Sequence, residues 1–180
     1  LTPTDFAYAE RFGYVVKPLV VAVVHPDGVD GRVHPALIPR SWMLASVSGV
    51  NNAVYVSSRA LGQSMYYGPG AGMMPTAVAV VSDIIDVSRN ILARAAGHGP
   101  TRAFRRWTER PIRDIDRLVT RYYLRFAVRD RPGVLGEIAG VLGGCGVSIA
   151  QVVQEANPVD GSPVTVVVLT HVATERDIRR

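Results

Sequence analysis

Between Arg121 and Val172 the apolar pattern changes period, from two to about 3.6 and back to two, and few folds accept that order. "RYYLRFAVRD" alternates, with Tyr122, Leu124, Phe126 and Val128 on one face, as a half-buried strand requires. "RPGVLGEIAGVLGGCG" reads as a helix with Val134, Leu135, Ile138, Val141 and Leu142 on one stripe and glycines at its end. "VSIAQVVQEA" and "SPVTVVVLTHV" return to strands, the second with Val164, Val166, Val168 and Thr170 on one face. "ATERDIRR" then begins another helix. Strand, helix, strand, strand and helix start is the order of a split βαβ unit, which would ordinarily finish its second helix and add a fourth strand. The end therefore reads as cut short.

The preceding residues follow a different plan. "LTPTDFAYAERFG" reads as a short helix, with Thr2 as cap, Pro3 in its first turn and Asp5 at the positive end of the dipole. Gly13 would end it in a left-handed conformation. "YVVKPLVVAVVHPDG" is a valine-rich strand with Pro18 at an edge or bulge, "HPDGVDG" reverses it, and "RVHPALIP" returns. "SVSGVNNAVYVSS" and "LGQSMYYG" are two further strands, so residues 14 to 67 read as a mainly antiparallel sheet. Pro75 opens a helix to about Ala95 whose apolar residues, Val78, Val81, Ile84, Ile85, Val87 and Ile91 among them, cover more than one stripe. Such a helix expects packing on two sides.

The expected class is α+β, in units of residues 1–96 and 119–180, joined by a basic linker over 97–118. Residues 94 to 117 hold Arg94, Arg102, Arg105, Arg106, Arg110, Arg113 and Arg117 against Glu109, Asp114 and Asp116. A basic patch can meet nucleic acid, but this segment also carries Gly97, Gly99, Pro100 and Pro111 and no steady period. It reads as a linker, and no nucleic-acid partner is expected. The net charge is +5 over 180 residues, and the hydrophobic fraction of 48% suits a chain with a buried core. No apolar run reaches the ~18 residues of a membrane span, and the N-terminus lacks a signal-peptide layout. A single Cys145 fits a reducing cytoplasm.

"VRDRPGVLGEIAGVLGGCGVSIAQVVQ", residues 128 to 154, resembles the ACT domain, a small ligand-binding module. The resemblance implies a ferredoxin-like βαββαβ unit in which the D-x-P-G loop holds an amino acid, at an interface between two such domains. It places Asp130, Gly133, Val134 and Leu135 in that loop, and Gln154 near the ligand on the second strand. The physical chemistry agrees: Gly133 lets the backbone come close, and a helix N-terminus favours a carboxylate. A unit used only for dimerisation is the alternative.

"FAYAERFGYVVKPL", "RVHPALIP", "VSGVNNAVYV", "YYGPGAG" and "MPTAVAVVSDIIDVSR" resemble, in order and spacing, the later half of the catalytic region of homoserine dehydrogenase. Pro18 departs from the aliphatic residue more usual there. The resemblance implies that Gly68, Gly70, Ala71 and Gly72 close over the nicotinamide end of NAD or NADP with backbone N–H donors. Alone, "GPGAG" lacks the G-x-G-x-x-G spacing of a dinucleotide fingerprint and would be a bare turn before a helix. The resemblance also implies a Rossmann-type domain, a catalytic lysine and substrate-binding acids upstream of Leu1, so no catalytic residue is expected in this chain. Lys17 reads as a strand residue, and Asp83 and Asp86 as solvated carboxylates on one helix face. His25, His34, His98 and His171 have no metal-ligand spacing.

The implied function is part of an NAD(P)-dependent homoserine dehydrogenase, inactive by itself, forming a homodimer through the sheet of residues 14 to 67. Threonine is the effector that the ACT-like tail suggests. A free-standing amino-acid sensor is the alternative.

Overall fold

The computed structural model describes residues 1–93, 108–155 and 163–180. Arg94, Arg102, Arg105, Arg106 and His98 lie outside them. The contacts sort the chain into two units, the first made of Leu1–Phe12, Val16–Leu37 and Arg110–Arg180 and the second of Gly13–Val15 and Ile38–Glu109.

The first unit opens with helix α1, Pro3–Arg11. Thr2 precedes it in extended conformation, and the Asp5 carboxylate reaches back to the Thr2 N–H at 2.7 Å. That contact satisfies one of the amides left orphaned at a helix start. Gly13 follows at φ +80°, the left-handed stop that its sequence position suggested. Strands β1 (Tyr14–His25) and β2 (Gly28–Pro39) form a hairpin around a two-residue turn at Pro26 and Asp27. β1 runs unbroken through Pro18, which a two-stranded sheet tolerates because every strand in it is an edge.

Short β5 (Val119–Thr120) pairs with β9 (Ala173–Thr174), a pairing too brief to show in the sequence pattern. Between them lie β6 (Tyr123–Arg129), helix α3 (Val134–Gly144), β7 (Ile149–Gln154) and β8 (Pro163–Thr170). These three strands form an antiparallel sheet in the order β6-β8-β7, and α4 (Glu175–Ile178) follows β9. Central β8 holds the core: Val164, Val166, Val167 and Val168 are at most 1% exposed. The expected inward face is there, and Val167 shows that the other face is covered too, so β8 reads as a continuous apolar run. On α3 the inward positions are Val134, Ile138 and Leu142, followed by Cys145 just past its end, whereas Leu135 and Val141 face solvent. The stripe read from sequence was too wide by those two residues.

The second unit contains a hairpin of β3 (Asn51–Ser58) and β4 (Gly62–Pro69), with Asn52 opposite Gly68 and Val54 opposite Tyr66. Residues 14 to 67 thus form two separate two-stranded ladders and not one sheet, with a 3₁₀ turn at Met43–Ser46 between them. Helix α2 spans Met73–Leu92, starting two residues before Pro75. Pro75 is still inside the first turn, where a missing N–H costs no intrahelical bond. No residue of α2 is buried; Met73 and Leu92 are exposed by 86% and 84%. The packing that its apolar surface calls for does not come from the described residues of its own unit. No helix among the described residues is long and apolar enough to cross a membrane.

Candidate functional site

In the first unit, the turn from β6 into α3 and the end of β7 border an open cleft of about 530 Å³. Its lining includes Asp130, Gly133, Val134 and Leu135, the four residues singled out in the D-x-P-G loop, and Gln154, singled out on the second strand. Arg131, Pro132 and Gly136 complete it. These three were missed although the first two stand inside the same motif. Gly133 sits at φ +92°, a conformation costly for any residue with a β-carbon, and directs the chain from strand to helix.

Gly133 precedes the first turn of α3 and offers no side-chain cap. The Glu137 N–H donates to the Gly133 carbonyl at 3.0 Å, while Leu135 and Gly136 lie in the turn whose amides have no intrahelical acceptor. Those amides and the dipole behind them suit a carboxylate. Across the cleft Gln154 Nε2 donates to Asp130 Oδ1 over a long 3.4 Å, so both groups retain capacity for a third partner. Arg131 is turned aside, held by both oxygens of Glu137 at 2.9 and 2.7 Å. The cleft thus offers amide donors at one end and a carboxylate at the other, with Val134 and Leu135 beside them. That arrangement can hold an amine and an acid a few bonds apart.

The Gly-rich loop belongs to the second unit. Gly68 is still in the β3–β4 ladder, opposite Asn52. The Gly70 N–H donates to the Val50 carbonyl at 2.7 Å, so this amide is committed within the protein. The side chain of Asn52 fills the place where a β-carbon on Gly70 would go, 2.5 Å from Asn52 Cγ. Gly72 has φ +129° and caps α2 without a side-chain bond. Gly70 is accounted for by close packing and Gly72 by its backbone angle. Of the four expected donors, the geometry leaves Ala71 and Gly72, with the first turn of α2 behind them. Such N–H donors suit a carbonyl or phosphate oxygen, and Gly68 and Gly70 serve to shape the loop.

The described arginines of the basic segment face an acidic hairpin tip. Arg113 meets Asp27 at 3.2 Å and Asp30 at 3.1 Å, Arg117 meets Asp27 at 2.8 Å, and Arg110 donates to the His25 carbonyl at 3.1 Å. His25 itself contacts Asp30 at 2.8 Å, and His34 accepts from Arg32 Nε at 3.0 Å. Among the described residues no three His, Cys, Asp or Glu side chains gather as metal ligands. Asp86 pairs with Arg89 at 4.0 Å on the exposed face of α2.

A family model for homoserine dehydrogenase matches residues 1–85. The homoserine dehydrogenase of Neisseria gonorrhoeae is 42% identical over 99% of this chain, covering 41% of that protein. That of Pseudomonas aeruginosa is 41% identical, covering 99% of this chain and 42% of its own length. A crystal structure of a homoserine dehydrogenase from Thiobacillus denitrificans superposes with a TM-score of 0.84 at 40% identity, over 99% of this chain and 40% of the other. The chain spans about two-fifths of the length of these relatives.

Proposed function

We propose, from the match of residues 1–85 to the family model for homoserine dehydrogenase, that this chain is part of an NAD(P)-dependent homoserine dehydrogenase. In this reading the whole enzyme interconverts L-homoserine and L-aspartate 4-semialdehyde, and this chain joins a cofactor-closing region to an amino-acid-sensing ACT-like unit. The observation that carries the reading is 41–42% identity, across 99% of the chain, with proteins of that name. Ala71 and Gly72 would hold the nicotinamide end of the cofactor, which supplies hydride transfer. The proton-handling lysine belongs to the remainder of the enzyme. The sheet order β6-β8-β7 suits three strands of a ferredoxin-like unit, and the amide-to-carboxylate cleft suits a zwitterionic effector, threonine in our reading.

The test is a fusion of this chain behind the remainder of the Pseudomonas aeruginosa relative. It should reduce NAD or NADP in the presence of homoserine, whereas the folded 180-residue chain should not. L-Threonine should lower the turnover, and Gln154→Ala should raise the half-inhibiting concentration about tenfold, the equivalent of one hydrogen bond to a charged ligand. A folded, cofactor-binding fusion without turnover would refute the enzyme reading. Turnover indifferent to millimolar threonine would refute the effector.

The same reading makes the protein a homodimer through the strands of residues 14 to 67. Val20, Val24 and Val33, exposed by 81%, 67% and 76% on the first hairpin, are apolar surface that such a contact would cover. Sedimentation at micromolar concentration should show twice the 19.4 kDa chain mass. A monomer would end this part of the proposal.

A further inference from the structure

Gln154 is the last residue of β7, and Glu155 is the next in the chain. Gln154 lines the cleft. Glu155 forms an ion pair with Arg11 on α1, and burial together with the nearby Glu155 carboxylate pushes up the pKa of Tyr8, also on α1. Tyr8 is 4% exposed, whereas the Arg11 and Glu155 side chains are 54% and 56% exposed. At its other end α1 is held to β6 by Asp5, which accepts from Tyr123 Oη at 2.9 Å and Arg125 Nε at 2.7 Å. α1 is thus fastened at two points, and one of them is the immediate neighbour of a cleft residue. Two residues beyond Arg11 the chain passes Gly13 and enters β1.

We propose that α1 is the output element of the cleft: occupancy felt by Gln154 is transmitted through Glu155 to Arg11 and Tyr8, changing how firmly α1 is docked. This rests on the reading of the cleft as an amino-acid site. A ligand can bias α1 only if it binds the docked and loosened states unequally, and the shared backbone of Gln154 and Glu155 provides that inequality. An engaged Gln154 fixes the end of β7, and with it the acceptor that α1 needs.

The experiment is amide exchange in α1 of the 180-residue chain, with and without saturating L-threonine, alongside calorimetry. Threonine should slow exchange of the last turn of α1 about fivefold or more. In Glu155→Ala the binding heat should persist while that response disappears. Bound threonine with unchanged α1 exchange, or an undiminished response in Glu155→Ala, overturns the proposal. Absence of heat in both proteins instead refutes the cleft reading, and the relay is then read without ligand. Gln154→Ala should alter α1 exchange in the native background and not in Glu155→Ala. Equal effects in the two backgrounds overturn it.

Discussion

Replacing Asp5 by alanine should lower the unfolding free energy by about 3 kcal/mol, the low end of the cost of breaking a buried pair, because Asp5 is buried while the Arg125 side chain is 32% exposed. Asp5 is 5% exposed and accepts from four groups: Thr2 N at 2.7 Å, Thr2 Oγ1 at 3.1 Å, Tyr123 Oη at 2.9 Å and Arg125 Nε at 2.7 Å. Without the carboxylate the Tyr123 hydroxyl and the part-buried Arg125 guanidinium, on a side chain 32% exposed, lose their shared acceptor. The urea midpoint of the far-ultraviolet signal should fall by about 1–2 M, given an m-value of about 2 kcal/mol per molar. Asp5→Asn should cost less, because the amide oxygen keeps one acceptor. Removing the cation as well, in Asp5→Ala with Arg125→Leu, should recover part of the loss. A double variant no better than the single one would show that α1 is held by something other than this charge.

The same carboxylate gives a pH signature. Burial alone would raise its pKa, but the Thr2 amide, Tyr123, Arg125 and the Thr2 hydroxyl outweigh burial and lower it to about 2. A folded pKa below the unfolded one contributes stability that is complete above about pH 4 and lost as pH falls towards 2, worth about 2 kcal/mol in all. Acid unfolding of Asp5→Ala should lack that portion of the slope. An unchanged acid limb would place the acid-sensitive group elsewhere.

What the sequence disclosed depended on the range of the interaction. Helix and strand identities followed from period and caps: Thr2, Pro3 and Gly13 delimit α1, and the alternation over Val164, Val166, Val168 and Thr170 marks the inner face of β8. The cleft was legible because a short motif, Asp130 to Leu135, supplies most of its wall, and only Gln154 comes from a distant strand. Long-range pairing left no such trace. Nothing local says that Asp5 meets Arg125 or that Arg11 meets Glu155, 144 positions on. The arginines of residues 110–117 looked like linker charge because their partners, Asp27 and Asp30, lie more than 80 residues away. Composition could show a charge excess there, but not that the hairpin tip answers it. The Gly70 amide was read as a free donor for the same reason, since its acceptor on Val50 depends on how the β3–β4 hairpin closes.

That hairpin-tip clamp supports the second large prediction, at Gly28. Its φ is +153°, and a β-carbon would lie 2.5 Å from the Pro111 carbonyl oxygen and 2.9 Å from Arg113 Cγ. The obstruction is backbone, so no rotamer change relieves it. Pro111 would have to move, yet its carbonyl accepts from Val29 N at 2.9 Å, and Arg113 N donates back to Val29 at 3.0 Å. Separating that bridge between Val29 and Ile112 also draws Arg113, whose side chain is 13% exposed, away from Asp27 and Asp30. Backbone strain of about 1–2 kcal/mol and two hydrogen bonds at about 1 kcal/mol each make a loss of about 3–4 kcal/mol for Gly28→Ala. Gly31 is the matched control: it lies in the same strand, has no positive φ and meets nothing within 4 Å of a built β-carbon. Gly31→Ala should stay within about 0.5 kcal/mol of the parent, as surface substitutions usually do. Amide exchange distinguishes how Gly28→Ala fails. If the clamp yields first, Val29 and Arg113 should exchange fast while the amides of β8 keep their protection, because β8 pairs with β6 and β7 and not with the hairpin. Equal losses at Gly28 and Gly31 would mean that glycine is favoured in this strand for flexibility alone, and that the bridge to Pro111 contributes little to holding residues 110–117 in place.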